Sequence, residues 1–467
     1  MNNYKCLFLI LLTVLSVNLG FAATPPKPAN PSAPLVIKLN TQESLLPICI
    51  GKIESDQSAY PQNYLDQLRE ILRFDFNYNG MSKVLSADSA KNMLNQSTYD
   101  QPGDMAKWRE IGAYYLLQGK VSGGQLNLRM ISIGSGKAKT IQGIALKGDL
   151  AQDRKVLHHI HDQLHQELFN KPGVAATRFL YAKRLPLAGG KEWSSEIWEA
   201  DWDGGNDTQL TRNSGYSVTP SYLPPQQAGY RSGSFFYVSY QNGQPKIYIA
   251  SLKDGNGKRL TYLRGNQMTP AVNASRDGIA FICDATGNPD LFLQPFNPNV
   301  GATGKPRQIY TAPQAAQGTP AFSPDGNKIV FVSNKNGTPK IFVMNVPPPG
   351  ARLKDIEATL ITKANQENTS PAWSPDGTKI AYSAKNGGNE RQIWIYDFTT
   401  GKESQLTGGP GHKENPTWGP NSLHLIFNRV ENEGCELYLV NLHQPEAVRI
   451  SNGKGEKRFP SWEPRVD

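Results

Sequence analysis

The chain has 467 residues, with 49 Lys and Arg against 40 Asp and Glu, a net charge of +9 scattered in ones and twos. Such scatter excludes a dedicated nucleic-acid groove and suits weak attraction to acidic surfaces. Forty-three Gly and 34 Pro without a collagen-like period favour many short strands and turns over long helices, in two or three domains.

Lys5, the apolar run Cys6 to Leu19 and the small-residue exit Gly20-Phe21-Ala22 predict a secretory signal peptide over residues 1–22, cleaved near Ala22. The run is too short for a comfortable membrane span, and no later segment could cross, so an exported, soluble protein is expected. Cleavage leaves Cys49, Cys283 and Cys435, each within or beside an apolar run, as buried thiols. Residues 23–34, with five prolines between Thr24 and Pro34, read as an extended linker.

An α/β domain is expected over 35–172. Leu35-Val36-Ile37-Lys38-Leu39-Asn40 is strand-like, with Leu35, Ile37 and Leu39 forming one apolar face. Leu45 to Ile50 predicts a strand, and Asn63 to Leu72 an amphipathic helix carrying Leu65, Leu68, Ile71 and Leu72. Ala113 to Val121, Gln125 to Ile133 and Thr140 to Leu146 predict a meander. Asp149 caps a long helix whose Val156, Leu157, Ile160, Leu164 and Leu168 face one way, ending before Pro172-Gly173.

Self-similarity governs the rest. VTPSYLP from Val218, MTPAVNASRDGIAFIC from Met268, GTPAFSPDGNKIVFVSN from Gly318, TSPAWSPDGTKIAYSAK from Thr369, ENPTWGPNSLHLIFNRV from Glu414 and RFPSWEP from Arg458 are copies of one unit. Their prolines, Pro220, Pro270, Pro320, Pro371, Pro416 and Pro460, are spaced by 50, 50, 51, 45 and 44 residues. A period of about 40–50 with four strand-like runs per copy indicates propeller blades. The last copy is a lone first strand, and Arg178 to Thr211 supplies the three strands it lacks. The fold expected over 177–467 is therefore an all-β six-bladed propeller closed by the C-terminal strand.

No G-x-S-x-G nucleophile elbow occurs, and Gly134-Ser135-Gly136-Lys137 lacks Walker spacing and sits between two strands. His158, His161 and His165 share one helix face, but no Cys or second His cluster completes a metal site, so they read as a polar flank. Asp325 and Asp376 occupy Asp-Gly positions that a tight turn demands. No cofactor and no metal is expected.

The order WREIGAYYLLQGKV, meander, HHIHDQLHQELFNKPGVAATRFLYAKR and then TPAFSPDG-type repeats resembles the TolB family, periplasmic components of the Tol–Pal cell-envelope system. The resemblance covers essentially the whole mature chain; the Pro-rich lead is its one departure. It implies a non-enzymatic adapter that binds the lipoprotein Pal through the propeller mouth and TolA through Leu35 to Asn40. Other outer-membrane or peptidoglycan-associated proteins are further candidate partners. A role in envelope constriction at division and outer-membrane integrity is implied with it. A propeller peptidase or lyase, or a sugar-binding propeller, is the alternative; aromatic loop tips would mark the latter, and the tips read as Gly, Asn, Gln, Lys and Glu.

Each blade's outer strand connects across one face to the next inner strand, so residues before the inner strands should ring the channel opening. These are Ser217, Val218, Asn266, Gln267, Met268, Gln317, Gly318, Asn368, Thr369, His412, Lys413, Glu414, Lys457 and Arg458. Asn266, Gln317 and Asn368 lead as partner contacts.

Overall fold

A computed structural model describes residues 45–55, 60–187, 193–213, 215–385, 387–432 and 434–465. The expected signal peptide, linker and Leu35–Asn40 strand lie outside the described residues. In chain order the first domain runs β1 (Leu46–Ser55), α1 (Gln62–Tyr78), β2 (Ser82–Val84), α2 (Ala87–Gln96), α3 (Met105–Glu110), β3 (Tyr115–Ser122), β4 (Gln125–Ser132), β5 (Ala138–Ala145) and α4 (Leu150–Phe169). Its sheet has the order β2-β1-β3-β4-β5, with β1 parallel to both neighbours and the meander antiparallel.

The sheet is covered on both faces. Leu65, Leu68, Ile71, Leu72 and Phe76 of α1 and Leu157, Ile160 and Leu164 of α4 pack on Ile48, Ile50, Leu126 and Leu128. Cys49, Leu116 and Ile131 turn the other way, towards Ala90 of α2 and Trp108 of α3. Asp149 caps α4 by accepting from the amides of Ala151 and Gln152, and Asn170, at φ 53°, ends it in the left-handed conformation before Pro172.

The second domain is the predicted six-bladed propeller. Blade I joins the C-terminal strand Glu456–Trp462 to Arg178–Pro186, Trp193–Asp201 and Thr208–Gln209. Blades II to VI begin with inner strands Ser217–Tyr222, Gln267–Val272, Gln317–Phe322, Glu367–Trp373 and His412–Trp418. Blade III gains a short extra hairpin, Gly301–Ala302, beside its third strand.

Each inner strand carries the same irregularity. The residue before the repeated proline has positive φ: Thr219 48°, Thr269 49°, Thr319 36°, Ser370 52°, Asn415 53° and Phe459 55°. Pairing with the second strand shifts register at that point in every blade. Proline bars the right-handed helical region to its predecessor, and a left-handed residue costs about 1–2 kcal/mol, so the ring holds six bulges against local preference.

The SPDG turns sit on the face where first strands turn into second strands. In blade IV the Ser323 hydroxyl accepts from the Lys328 amide at 2.9 Å, Asp325 accepts from the Asn327 amide at 3.1 Å, and Gly326 takes φ 71°. Ser374, Asp376 and Gly377 repeat this in blade V. The hydroxyl of Ser323 leads in holding the Asp325 carboxyl below its ordinary range. Both aspartates are therefore turn-makers.

The α/β domain packs on this same face, at blades I and VI. The Trp202 indole donates to Asp75 at 2.9 Å, His424 Nε2 to the Tyr78 carbonyl at 2.7 Å, and His443 Nδ1 to the Gly80 carbonyl at 2.6 Å. Arg154 pairs with Asp203. Gly204 permits the approach of blades I and VI, since a Cβ there would sit 1.5 Å from the Ile450 carbonyl oxygen.

The expected polar flank of α4 is corrected here. His158, His161 and His165 are all buried, because α4 is covered by the sheet on one side and by the domain junction on the other. His158 Nδ1 lies 2.8 Å from Asp75 and its Nε2 3.6 Å from Asp203. Burial would lower its pKa, but the two carboxylates, Asp75 foremost, outweigh that and raise it to about 10. Among the described residues no group of three or more His, Cys, Asp or Glu is placed to hold a metal.

Candidate functional site at the propeller mouth

The face opposite the α/β domain carries the connections between blades and the hairpins between second and third strands. Apart from Asn266, which directly precedes the strand Gln267–Val272, the predicted ring residues prove to be the opening residues of the inner strands themselves. Their alternation divides them into two sets with different surroundings.

The residues three before each proline, Ser217, Gln267, Gln317, Asn368, Lys413 and Lys457, are all buried. Five turn back to the connecting loop. Gln267 Nε2 donates to the Leu263 carbonyl at 2.7 Å, Gln317 Nε2 to Ala315 at 3.1 Å and Asn368 Nδ2 to Asn365 at 3.4 Å. Lys413 Nζ donates to the carbonyls of Gly409 and Pro410, and Lys457 Nζ to Gly453 at 2.6 Å and to Glu436 at 3.0 Å. A tight turn leaves inward carbonyls that need donors, and an amide or ammonium at this position supplies them. Burial, and then Arg429, lower the Lys413 pKa to about 8. Gln267, Gln317, Asn368 and Lys457 were expected as surface contacts; the structure sets them in the wall of the mouth instead.

The second set remains half-buried except for Val218, which joins the hydrophobic core. Asn266 is fixed by Asp284, its amide at 2.7 Å and its Nδ2 at 2.8 Å. Met268 stands opposite Ile282, and Thr369 Oγ1 lies 3.5 Å from the Ser383 carbonyl. His412 Nδ1 accepts from the Arg391 amide at 3.3 Å. Glu414 lies 4.0 Å from both Arg391 of blade V and Arg458 of blade I. Arg458 also reaches Glu456 at 3.1 Å.

Sequence reasoning missed two features. The first is the ion-pair chain across blades V, VI and I, in which Arg391 also holds Glu367 and Glu456 also faces Arg184 at 3.7 Å. The repeat offered a signal, since Glu367, His412 and Glu456 stand at one position of three successive copies. The second is aromatic. Tyr262, 73% exposed, and Trp193, 40% exposed, stand on mouth loops where only small and polar tips were expected. Each ring face already carries a guanidinium, Arg259 at 4.9 Å and Arg184 at 4.0 Å.

A second concavity of about 940 Å³ lies on the other face, between α4, the blade II insertion and the C-terminal residues. Within it Arg231 pairs with Glu463 at 2.7 Å and Arg465 with Asp162 at 3.5 Å.

A closed ring of six blades, entered through a polar mouth and backed by an α/β domain on the opposite face, defines a two-domain propeller scaffold. Residues 165–466 match the family model of the TolB beta propeller domain, and residues 36–133 that of the TolB amino-terminal domain. A TolB homolog of Protochlamydia amoebophila is 50% identical over 385 residues, covering 82% of this chain and 81% of the relative. One from Chlamydia pneumoniae is 38% identical over 325 residues, covering 69% and 73%. TolB from Acinetobacter baumannii superposes with a TM-score of 0.72 at 19% identity, over 91% of this chain and 98% of that one, a likeness of fold. The chain belongs to the TolB family, and is thus a component of the Tol–Pal system.

Proposed function

We propose that the protein is a non-enzymatic periplasmic adapter of the Tol–Pal system, binding Pal at the propeller mouth and TolA through Leu35 to Asn40. The reading extends to envelope constriction at division and to outer-membrane integrity. The observation that carries it is the mouth of a TolB-family propeller, which the described residues leave uncovered because the α/β domain packs on the opposite face. Six blade-to-blade connections converge there, so hydrogen-bonding groups from several blades act on one partner surface. No helix among the described residues is long and apolar enough to cross a membrane. The alternation of apolar Leu35, Ile37 and Leu39 in the sequence suits strand addition to a partner's sheet edge.

The test is a pull-down from envelope extract with the mature protein, read by mass spectrometry. Pal and TolA should be recovered together with it. Deleting residues 23–40 should remove TolA, retain Pal and leave the propeller's melting temperature within a few degrees. Recovery of neither protein, or unchanged TolA binding after the deletion, would reject the assignment.

A further inference from the structure

The charges of the mouth are unequally matched. Its carboxylates among the described residues are held by donors of the same chain. Glu367 pairs with Arg391, Glu414 stands between Arg391 and Arg458, and Glu456 pairs with Arg458. On the hairpins, Asp284 accepts twice from Asn266, Glu390 accepts from the Gly411 amide at 2.7 Å, and Glu431 pairs with Arg429.

Four cations of the same face are not so matched. Arg212, Arg264, Lys363 and Lys454 are exposed, and none has an ion-pair partner among the described residues. They lie on the connections from blade I to II, II to III, IV to V and VI to I. Each follows a buried apolar–hydroxyl pair or its close equivalent: Leu210-Thr211, Leu260-Thr261, Ile361-Thr362 and Ile450-Ser451. That pair anchors the outer strand's end, so the residues after it emerge at the rim. Exposure is imposed by the fold there; a cation at four of six connections is not.

We propose that this rim selects and steers an acidic partner surface onto the mouth, an inference that rests on the mouth being the Pal site. The arrangement is that of exposed rim cations around a centre whose carboxylates are already engaged in ion pairs and hydrogen bonds. The inner ion pairs offer a partner little field, whereas each of the four outer cations acts over roughly a Debye length, about 8 Å at physiological salt. Charge of this kind governs the encounter rate and its salt dependence more than the lifetime of the complex. The partner matched to it presents carboxylates around a central contact.

The experiment is surface-plasmon-resonance kinetics with the folded domain of Pal and the mature protein, between about 50 and 500 mM salt. The association rate of the unaltered protein should fall at least about fivefold across that range. A variant carrying Arg212→Glu, Arg264→Glu, Lys363→Glu and Lys454→Glu should associate at least about tenfold more slowly at low salt and approach the unaltered protein at high salt. Its dissociation rate should stay within about twofold. The corresponding four-Gln variant should fall between, and an unchanged melting curve certifies both folds. Association that is insensitive to salt, or unaffected by the four reversals, overturns the inference while leaving Pal binding in place. No binding of Pal at any salt overturns the reading of the mouth itself, and the steering role with it.

Discussion

At the scale of single residues, the turns of the repeat show backbone geometry outlasting the residue best suited to it. Gly326 and Gly377 take φ 71° and 74° in blades IV and V. In blade III the Gly comes two places late, and Arg276 adopts φ 62° instead; in blade VI Ser422 does so at 55°. Arg276 also leaves its Nε buried without a hydrogen-bond partner. Replacing Arg276 with Gly should therefore stabilise the protein by about 0.5–1 kcal/mol, less than the full left-handed penalty because Gly also frees the unfolded chain. A rise in the urea midpoint at unchanged slope would show it, and a fall would mean that the Arg276 side chain contributes packing not apparent from its unpaired Nε. The mouth teaches a related lesson. Gln317 and Asn368 look like surface amides in sequence, because nothing in a Gln or Asn tells whether it faces water or a carbonyl of its own loop. Asn266, one place earlier in the unit, is the half-buried one.

At the scale of elements, the strands of the propeller were legible because each copy repeats its apolar run, its turn and its proline, and six copies average out local exceptions. The core faces of α1 and α4 were legible as apolar stripes. What escaped was whatever depends on a second neighbour. Helices α2 and α3 are short, and their apolar residues acquire meaning only against Cys49, Leu116 and Ile131, while Val84 of the three-residue β2 joins the core on the opposite face of the sheet. Helix α1 runs six residues beyond the predicted Leu72 because Phe74, Asp75 and Tyr78 pack on the propeller. The histidines of α4 fill the junction for the same reason.

That junction makes stability depend on pH in a definite direction. His165 and His424 are held neutral, their pKa values lowered to about 4, chiefly by burial. The unfolded chain takes up these protons near pH 6.5 and the folded chain does not, so stability is complete above about 6.5 and is lost as pH falls towards 4, by roughly 3 kcal/mol for each imidazole at most. His158 acts oppositely: held charged to about pH 10, it contributes fully below 6.5 and loses that contribution as pH rises through 10. Stability should therefore be greatest near neutrality, with the acid limb between about 6.5 and 4.5 set by histidines before most carboxylates titrate. Urea midpoints measured across pH 4.5–9 check this; a midpoint flat down to 4.5 would contradict the buried neutral state of His165 and His424.

At the scale of the whole molecule, closure joins the two ends of the propeller. The C-terminal strand Glu456–Trp462 is the inner strand of blade I, and its Trp462 indole donates to Thr177 at 2.8 Å. Ending the chain at Gly455 should leave blade I an open edge and lower the melting temperature by more than about 10 °C. An unchanged melting curve would mean that the ring does not depend on this strand.

Closure also fixes the two faces, one carrying the α/β domain and one left open by the described residues, and the central claim is that this second face binds Pal. Calorimetry with Pal compares Asn266→Arg and Met268→Arg at the mouth with Asn327→Arg in the SPDG turn of blade IV. The account predicts that each mouth variant loses more than tenfold in affinity, above about 1.4 kcal/mol, while Asn327→Arg binds as the unaltered protein does. Loss of Pal by the Asn327 variant with retention by both mouth variants would place the site on the opposite face and contradict the account.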